Sequence, residues 1–121
     1  NGYQPTAADL NGDGKLDVIV GGETFVGNGD GTFKAGSGTW SNCSGRALVA
    51  DWNRDGYLDL MTTCGMLLGN GDGTVSQRPI GGIPGGGTDY SAMLDANGDG
   101  KPDLVTAYST GAAIIVLNTS K

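Results

Sequence analysis

Nine of the thirteen acidic residues in this 121-residue chain fall into three clusters of three. The local text reads DLNGDGKLD at 9–17, DWNRDGYLD at 51–59 and DANGDGKPD at 95–103, and all three fit D-x-N-x-D-G-x-x-D. Such a loop suits a hard cation. Side chains at positions one, three and five turn toward one point, the glycine at position six permits a sharp bend, and the carbonyl of position seven and the acid at position nine complete an oxygen shell. The expected ligands are Asp9, Asn11, Asp13, the Lys15 carbonyl and Asp17 in the first loop. In the second they are Asp51, Asn53, Asp55, the Tyr57 carbonyl and Asp59, and in the third Asp95, Asn97, Asp99, the Lys101 carbonyl and Asp103. Oxygen-only ligation rich in carboxylates favours Ca²⁺ over softer metals, so three Ca²⁺ sites are expected. Two carboxylates about 5 Å apart repel by roughly 3 kcal/mol at an effective dielectric near 20, so three such pairs oppose loop closure by about 10 kcal/mol without a counter-ion. The competing reading, solvated Asx turns that serve solubility, has to explain three loops in register. An EF-hand would need a glutamate at loop position twelve, where this chain has Val20, Thr62 and Thr106. The paired-loop helical module of cellulosomes also needs flanking helices, and its repeat is much shorter.

The first aspartates of the clusters are 42 and 44 residues apart, a period that implies a repeat architecture. A second motif follows the loops: Phe25-Val26-Gly27-Asn28-Gly29-Asp30-Gly31-Thr32-Phe33 is matched by Leu67-Leu68-Gly69-Asn70-Gly71-Asp72-Gly73-Thr74-Val75, and a third copy begins at Val116-Leu117-Asn118. Glycine breaks every helical period, whereas short β-prone runs bounded by turn residues recur. First strands are expected at 4–9, 45–51 and 89–95, second strands at 15–21, 57–63 and 101–107, third strands at 23–27, 65–69 and 112–117, and fourth strands at 32–36 and 74–79. Asn-Gly and Asp-Gly at 28–31 and 70–73 are hairpin signals. The second strands are apolar on both faces, so they should be covered on both sides, as in face-to-face stacked sheets.

Composition agrees. With 24 glycines, 4 prolines and 37% apolar residues, the chain is poor material for a helical bundle and adequate for a turn-rich sheet protein. The absence of histidine removes histidine-based triads, acid–base chemistry and zinc sites. A net charge of −6 disfavours nucleic acid and anionic membrane as partners, and no apolar run is long enough to span a bilayer. A start at Asn1 without a signal peptide reads as a mature or excised piece. Outside the loops only Glu23, Asp30, Asp72 and Asp89 remain as acids, too few and too scattered for a paired-carboxylate hydrolase, so no enzymatic activity is expected.

Together the loop and turn motifs resemble FG-GAP/VCBS repeats, the calcium-binding blades of integrin-alpha-like β-propellers and of many secreted microbial proteins. The resemblance covers nearly the whole chain. It implies an all-β fold of three tandem blades of antiparallel strands, about 1–40, 41–84 and 85–121, each with Ca²⁺ in the loop between its first two strands. The third repeat lacks a fourth strand, and the closed propellers of this family usually hold more blades than three. The apolar strand Ala112–Leu117 is therefore expected to present an open edge that pairs with another chain or another segment of a parent protein. Members of the family serve as adhesion domains, lectins and appendages of secreted hydrolases. The expected function is a non-catalytic extracellular recognition module that binds a glycan or cell-wall polymer; the alternative is a protein-interaction module docking through its open edge.

Antiparallel pairing about the second loop sends residue i to roughly 107–110 minus i, which places Cys43 near Cys64. A disulfide within that repeat is expected, the alternative being two buried thiols. It would stabilise by roughly 3 kcal/mol and indicates an oxidising, secreted setting. Asn42 and Asn118 lie in glycosylation sequons, which matter only in a secreting eukaryote. Trp40, Trp52, Tyr3, Tyr57, Tyr90 and Tyr108 offer rings for sugar stacking or for packing between blades. They do not repeat at equivalent positions, so any sugar site is single. Gly81–Gly87 reads as a surface crossing between repeats.

Overall fold

A computed structural model describes residues 3–36, 46–63, 65–76, 90–107 and 110–119. Among these residues there is no helix. Ten strands form three antiparallel sheets. The first sheet runs in order β1 (Thr6–Ala8), β2 (Asp17–Val20), β3 (Glu23–Gly27) and β4 (Phe33–Ala35). The second comprises β5 (Leu48–Ala50), β6 (Asp59–Thr62) and β7 (Gly65–Leu67), and the third β8 (Ser91–Leu94), β9 (Asp103–Ala107) and β10 (Ala113–Val116). Every observed strand falls within an expected one; β3 matches its expected span, and the others are shorter because the acidic loops and glycine turns take up their ends. Where the second sheet's fourth strand is expected, the described residues form a single bridge between Gly69 and Val75, reinforced by Ser76 N–H donating to Leu68 O at 2.7 Å. Residues 77–79, expected to continue that strand, lie outside the described residues, as do Cys43, Cys64 and Trp40.

Pairing across the second loop joins Leu48 to Met61, Val49 to Leu60 and Ala50 to Asp59, a register inside the range expected from the sequence. Period-two alternation then sends neighbouring residues to opposite faces. Leu60 and Leu67, cross-strand partners, join Leu10, Ile19, Ala47 and Val75 in one buried cluster against the first sheet. Met61 and Met66, the next pair, join Leu104 in a second cluster with Leu48, Met93, Val116 and the half-buried Trp52 against the third sheet. The second sheet is thus covered on both sides, and all four residues of β6 are buried. Trp52 takes the packing role of the two open to it. Hydrogen bonds tie the layers at several levels: Thr6 Oγ1 donates to Ala47 O at 2.9 Å, Thr24 Oγ1 to Gly73 O at 2.8 Å, and Asn118 Nδ2 to Trp52 O at 2.7 Å.

Candidate metal loops

Each acidic loop folds around its own first aspartate. Asp9 Oδ1 accepts the Gly12 and Asp13 N–H groups at 2.8 and 3.1 Å, and Oδ2 accepts Gly14 N–H at 2.9 Å. Asp95 repeats this with Gly98, Asp99 and Gly100 at 2.7, 3.1 and 2.8 Å. Asp51 takes the Asp55 and Gly56 N–H groups at 3.1 and 3.0 Å. Position three accepts the N–H of position five, from Asn11, Asn53 and Asn97, at 3.1–3.2 Å. Position five accepts the N–H of position seven at 2.9–3.0 Å, which fixes the backbone of Lys15, Tyr57 and Lys101 beside Asp13, Asp55 and Asp99. These are nested Asx turns. A carboxylate oxygen carries two lone pairs, so an oxygen holding one N–H still has capacity for a cation.

Position four explains a local difference. Gly12 and Gly98 sit at φ of 72° and 79°, while the second loop places Arg54 at φ 62°. A side chain there is strained, and among the described residues the Arg54 N–H makes no counterpart of the bond that Gly12 and Gly98 donate to the first aspartate.

Position nine departs from the picture of a simple ligand. Asp17, Asp59 and Asp103 are wholly inaccessible to solvent. One oxygen of each accepts an N–H of its own loop, from Leu10, Trp52 and Ala96 at 2.8–2.9 Å. The other accepts an N–H from the end of the third strand or just beyond it: Gly27 at 2.9 Å, Gly69 at 2.9 Å and Asn118 at 2.7 Å. The aspartate is a clasp between loop and sheet. Gly27 and Gly69 are glycines because a Cβ would lie 2.1 Å from Leu16 O and 2.0 Å from Leu58 O. Burial pushes the Asp59 carboxyl above its usual range despite N–H bonds from Gly69, Trp52 and Asn53. The Asn118 N–H holds Asp103 below it, against the opposing effect of burial, helped by Ala96, Asn97 and nearby Lys101. The sequence reading missed the partners Gly27, Gly69 and Asn118. Their signal was the residue just before each Asn-Gly turn and its third-repeat counterpart.

Convergence is strongest in the third loop. Asp95, Asp99 and Asp103 bring ligand oxygens within 4.8 Å of one another, the one such trio among the described residues. The first two loops carry the same candidate ligand residues without bringing their three carboxylates that close.

Two further features complete the region. The Gly-Asn-Gly-Asp-Gly turns are built alike: Asn28 and Asn70 Nδ2 donate to Thr32 and Thr74 Oγ1 at 2.9 Å, and those hydroxyls donate to Asp30 and Asp72 Oδ1 at 2.5 Å. These bonds hold both carboxyls below the usual range. A cleft of about 160 Å³ lies between the first two loops, lined by Asp9, Leu10, Asn11, Tyr57, Leu58 and Gly71, among others. Tyr57 is 49% exposed there.

No curated protein and no solved structure matches this chain significantly. The family model of the FG-GAP-like repeat matches residues 9–62, from the first acid of the first loop to the end of β6. The third loop and its sheet repeat the same clasp outside that span, an arrangement consistent with an FG-GAP-like repeat protein.

Proposed function

We propose that this protein is a non-catalytic, calcium-binding recognition module that works outside the cell, its three sheets being blades of the propeller type. The observation that carries the reading is the three-fold recurrence of one pre-folded, oxygen-rich loop, with the Asp95, Asp99 and Asp103 oxygens gathered within 4.8 Å. Asp9, Asn11, Asp13, Lys15 and Asp17, with their counterparts in the other two loops, would hold the ions. Oxygen donors alone suit Ca²⁺. The cation would offset the mutual repulsion of each acidic cluster, and the position-nine clasp would pass that stabilisation to the sheet.

The ligand class that fits best is a glycan or cell-wall polymer. The cleft between the first two loops offers one exposed ring, Tyr57, beside the polar groups of Asp9 and Asn11, which is the mixture a sugar face and its hydroxyls require. A second reading, a protein-interaction module, is favoured by β10, which lies at a sheet edge with Ile114 and Ile115 exposed. An exposed apolar edge is an invitation to pairing.

Calorimetric titration with Ca²⁺, combined with melting in excess chelator, tests the metal. A site held at a hundredfold excess of free ion over its Kd adds about 2.7 kcal/mol of stability, so chelation should lower Tm by many degrees. Asp99→Ala should reduce the stoichiometry from three ions to two. No binding heat and an unchanged melting curve would overturn the calcium reading. A glycan array in Ca²⁺ tests the ligand: signal lost in Tyr57→Ala supports the cleft, and no signal transfers the function to protein partners.

A further inference from the structure

The middle sheet shows both faces of the repeat unit in use, and this identifies the two faces that remain open. Its row Val49–Leu60–Leu67 packs toward the first sheet, and its row Leu48–Met61–Met66 packs toward the third. Counted from the clasp aspartate, the first row lies one residue on and the second row two residues on. In the third sheet the one-on row is Met93–Leu104–Val116, and it meets the second sheet. In the first sheet the two-on row contains Thr6, Ile19 and Thr24 and also meets the second sheet, with Ile19 in the shared cluster. Each internal interface is therefore the same joint: a two-on row of one sheet against a one-on row of the next.

Among the described residues, two rows are left over. They are the one-on row of the first sheet, Ala7–Val18–Phe25–Ala35, and the two-on row of the third, Ala92–Val105–Ile115. Neither contains a charged or polar side chain, and neither contributes to a buried cluster. Ile115 is 57% exposed, and Ala7, Ala35 and Ala92 are exposed as well. They are the two unmatched halves of a joint that the molecule already makes twice.

We propose that these faces join one copy of the chain to a second, head to tail, with the Ala92–Val105–Ile115 face of one packed on the Ala7–Val18–Phe25 face of the next. The occupant is a second copy because the open face needs the row type that the other open face presents, and the internal joints set the register. Such an interface is heterologous, so it closes into a ring or extends. The proposal goes beyond the edge pairing of β10, since it uses sheet faces, and it does not depend on what the loops or the cleft bind.

Sedimentation of the full chain in excess Ca²⁺ provides the test, using Ala7→Lys on one face and Ile115→Lys on the other. Both positions are exposed, so unchanged melting curves are expected; Ala35→Lys and Ala92→Lys form a replacement pair if either variant fails to fold. The wild-type chain should associate at concentrations up to about 100 µM, and each variant alone should associate at least roughly tenfold more weakly. An equimolar mixture of the two variants should recover a one-to-one dimer that grows no further, because each variant keeps the face that the other lacks. Three results would overturn the proposal: a monomeric wild-type chain, a single variant that associates like wild type, or a mixture that fails to recover. The last two would locate association at the β10 edge or at a symmetric face. All three leave the cation reading intact, since calcium binding is measured separately.

Discussion

Gly69→Ala tests the clasp most sharply. The added methyl would lie 2.0 Å from Leu58 O and 3.0 Å from Leu58 C, whereas carbon and carbonyl oxygen ordinarily approach no closer than about 3.3 Å. The strands must separate by more than a side-chain adjustment can supply, because the obstacle is backbone. That separation stretches the 2.9 Å bond from Gly69 N–H to Asp59. A hydrogen bond to a charged group contributes about 1.5–3 kcal/mol, and overpacking a tight site costs about 1–3 kcal/mol. The expected loss is therefore about 2.5–6 kcal/mol, a large part of the stability of a typical domain. Gly31→Ala is the control. It has a left-handed φ of 90° but nothing within 4 Å of the new Cβ, so it should cost only the conformational strain of about 1–2 kcal/mol. Urea denaturation of both variants beside the parent measures the difference. Equal losses for the two would refute the steric clasp, and a Gly69→Ala protein as stable as the parent would show that the buried aspartate does not depend on that approach.

Arg54→Gly should stabilise the second loop by about 0.5–1 kcal/mol, the left-handed strain relieved less the added freedom of glycine in the unfolded chain, read as a higher urea midpoint. Asn118→Ala should cost about 1 kcal/mol through loss of the 2.7 Å bond to Trp52 O while leaving the backbone clasp to Asp103 in place. The depressed carboxyls of Asp30 and Asp72 set a pH dependence. Their contribution is present in full above the unfolded carboxylate pKa near 4 and is lost as pH falls through the lower folded value. The double variant Asp30→Asn, Asp72→Asn should therefore be less stable than the parent at neutral pH and converge with it in acid, as followed by urea midpoints against pH; a gap that persists to the lowest pH would contradict this.

The loops were legible because their information is local. Spacing alone placed Asp9, Asn11 and Asp13 on one turn, and the observed bonds among 9–15 join residues no more than five apart. The clasp was not legible in the same way. Asp17 resembled Asp9 and Asp13 as one more oxygen donor, yet its second partner lies ten residues on, at Gly27. The sequence reading recognised the Gly-Asn-Gly-Asp-Gly segment as a hairpin turn, which it is, and overlooked that the glycine ahead of it has a separate reason to lack a side chain. That reason appears only when β3 has folded back beside Leu16. Trp52 was ambiguous for a similar cause: it stands in an acidic loop, where exposure is the natural expectation, and its burial comes from the third sheet, more than forty residues away.

The doubly apolar second strands carried more information than a single strand usually does. An antiparallel sheet with one solvated face alternates apolar and polar residues. In β6, Leu60 and Met61 are adjacent, and both are buried, so the alternation divides two apolar residues between two neighbours. This requires a layer on each side and makes stacked sheets the simplest solution. The same pattern holds in β2 and β9, where Val18 and Ile19, and Leu104 and Val105, are adjacent apolar pairs. Only one member of each pair is deeply buried, Ile19 and Leu104. The sequence thus writes three sheets as though each had two neighbours, and among the described residues the fold supplies two neighbours to the middle one alone. Val18 and Val105 are the residues through which that difference is expressed.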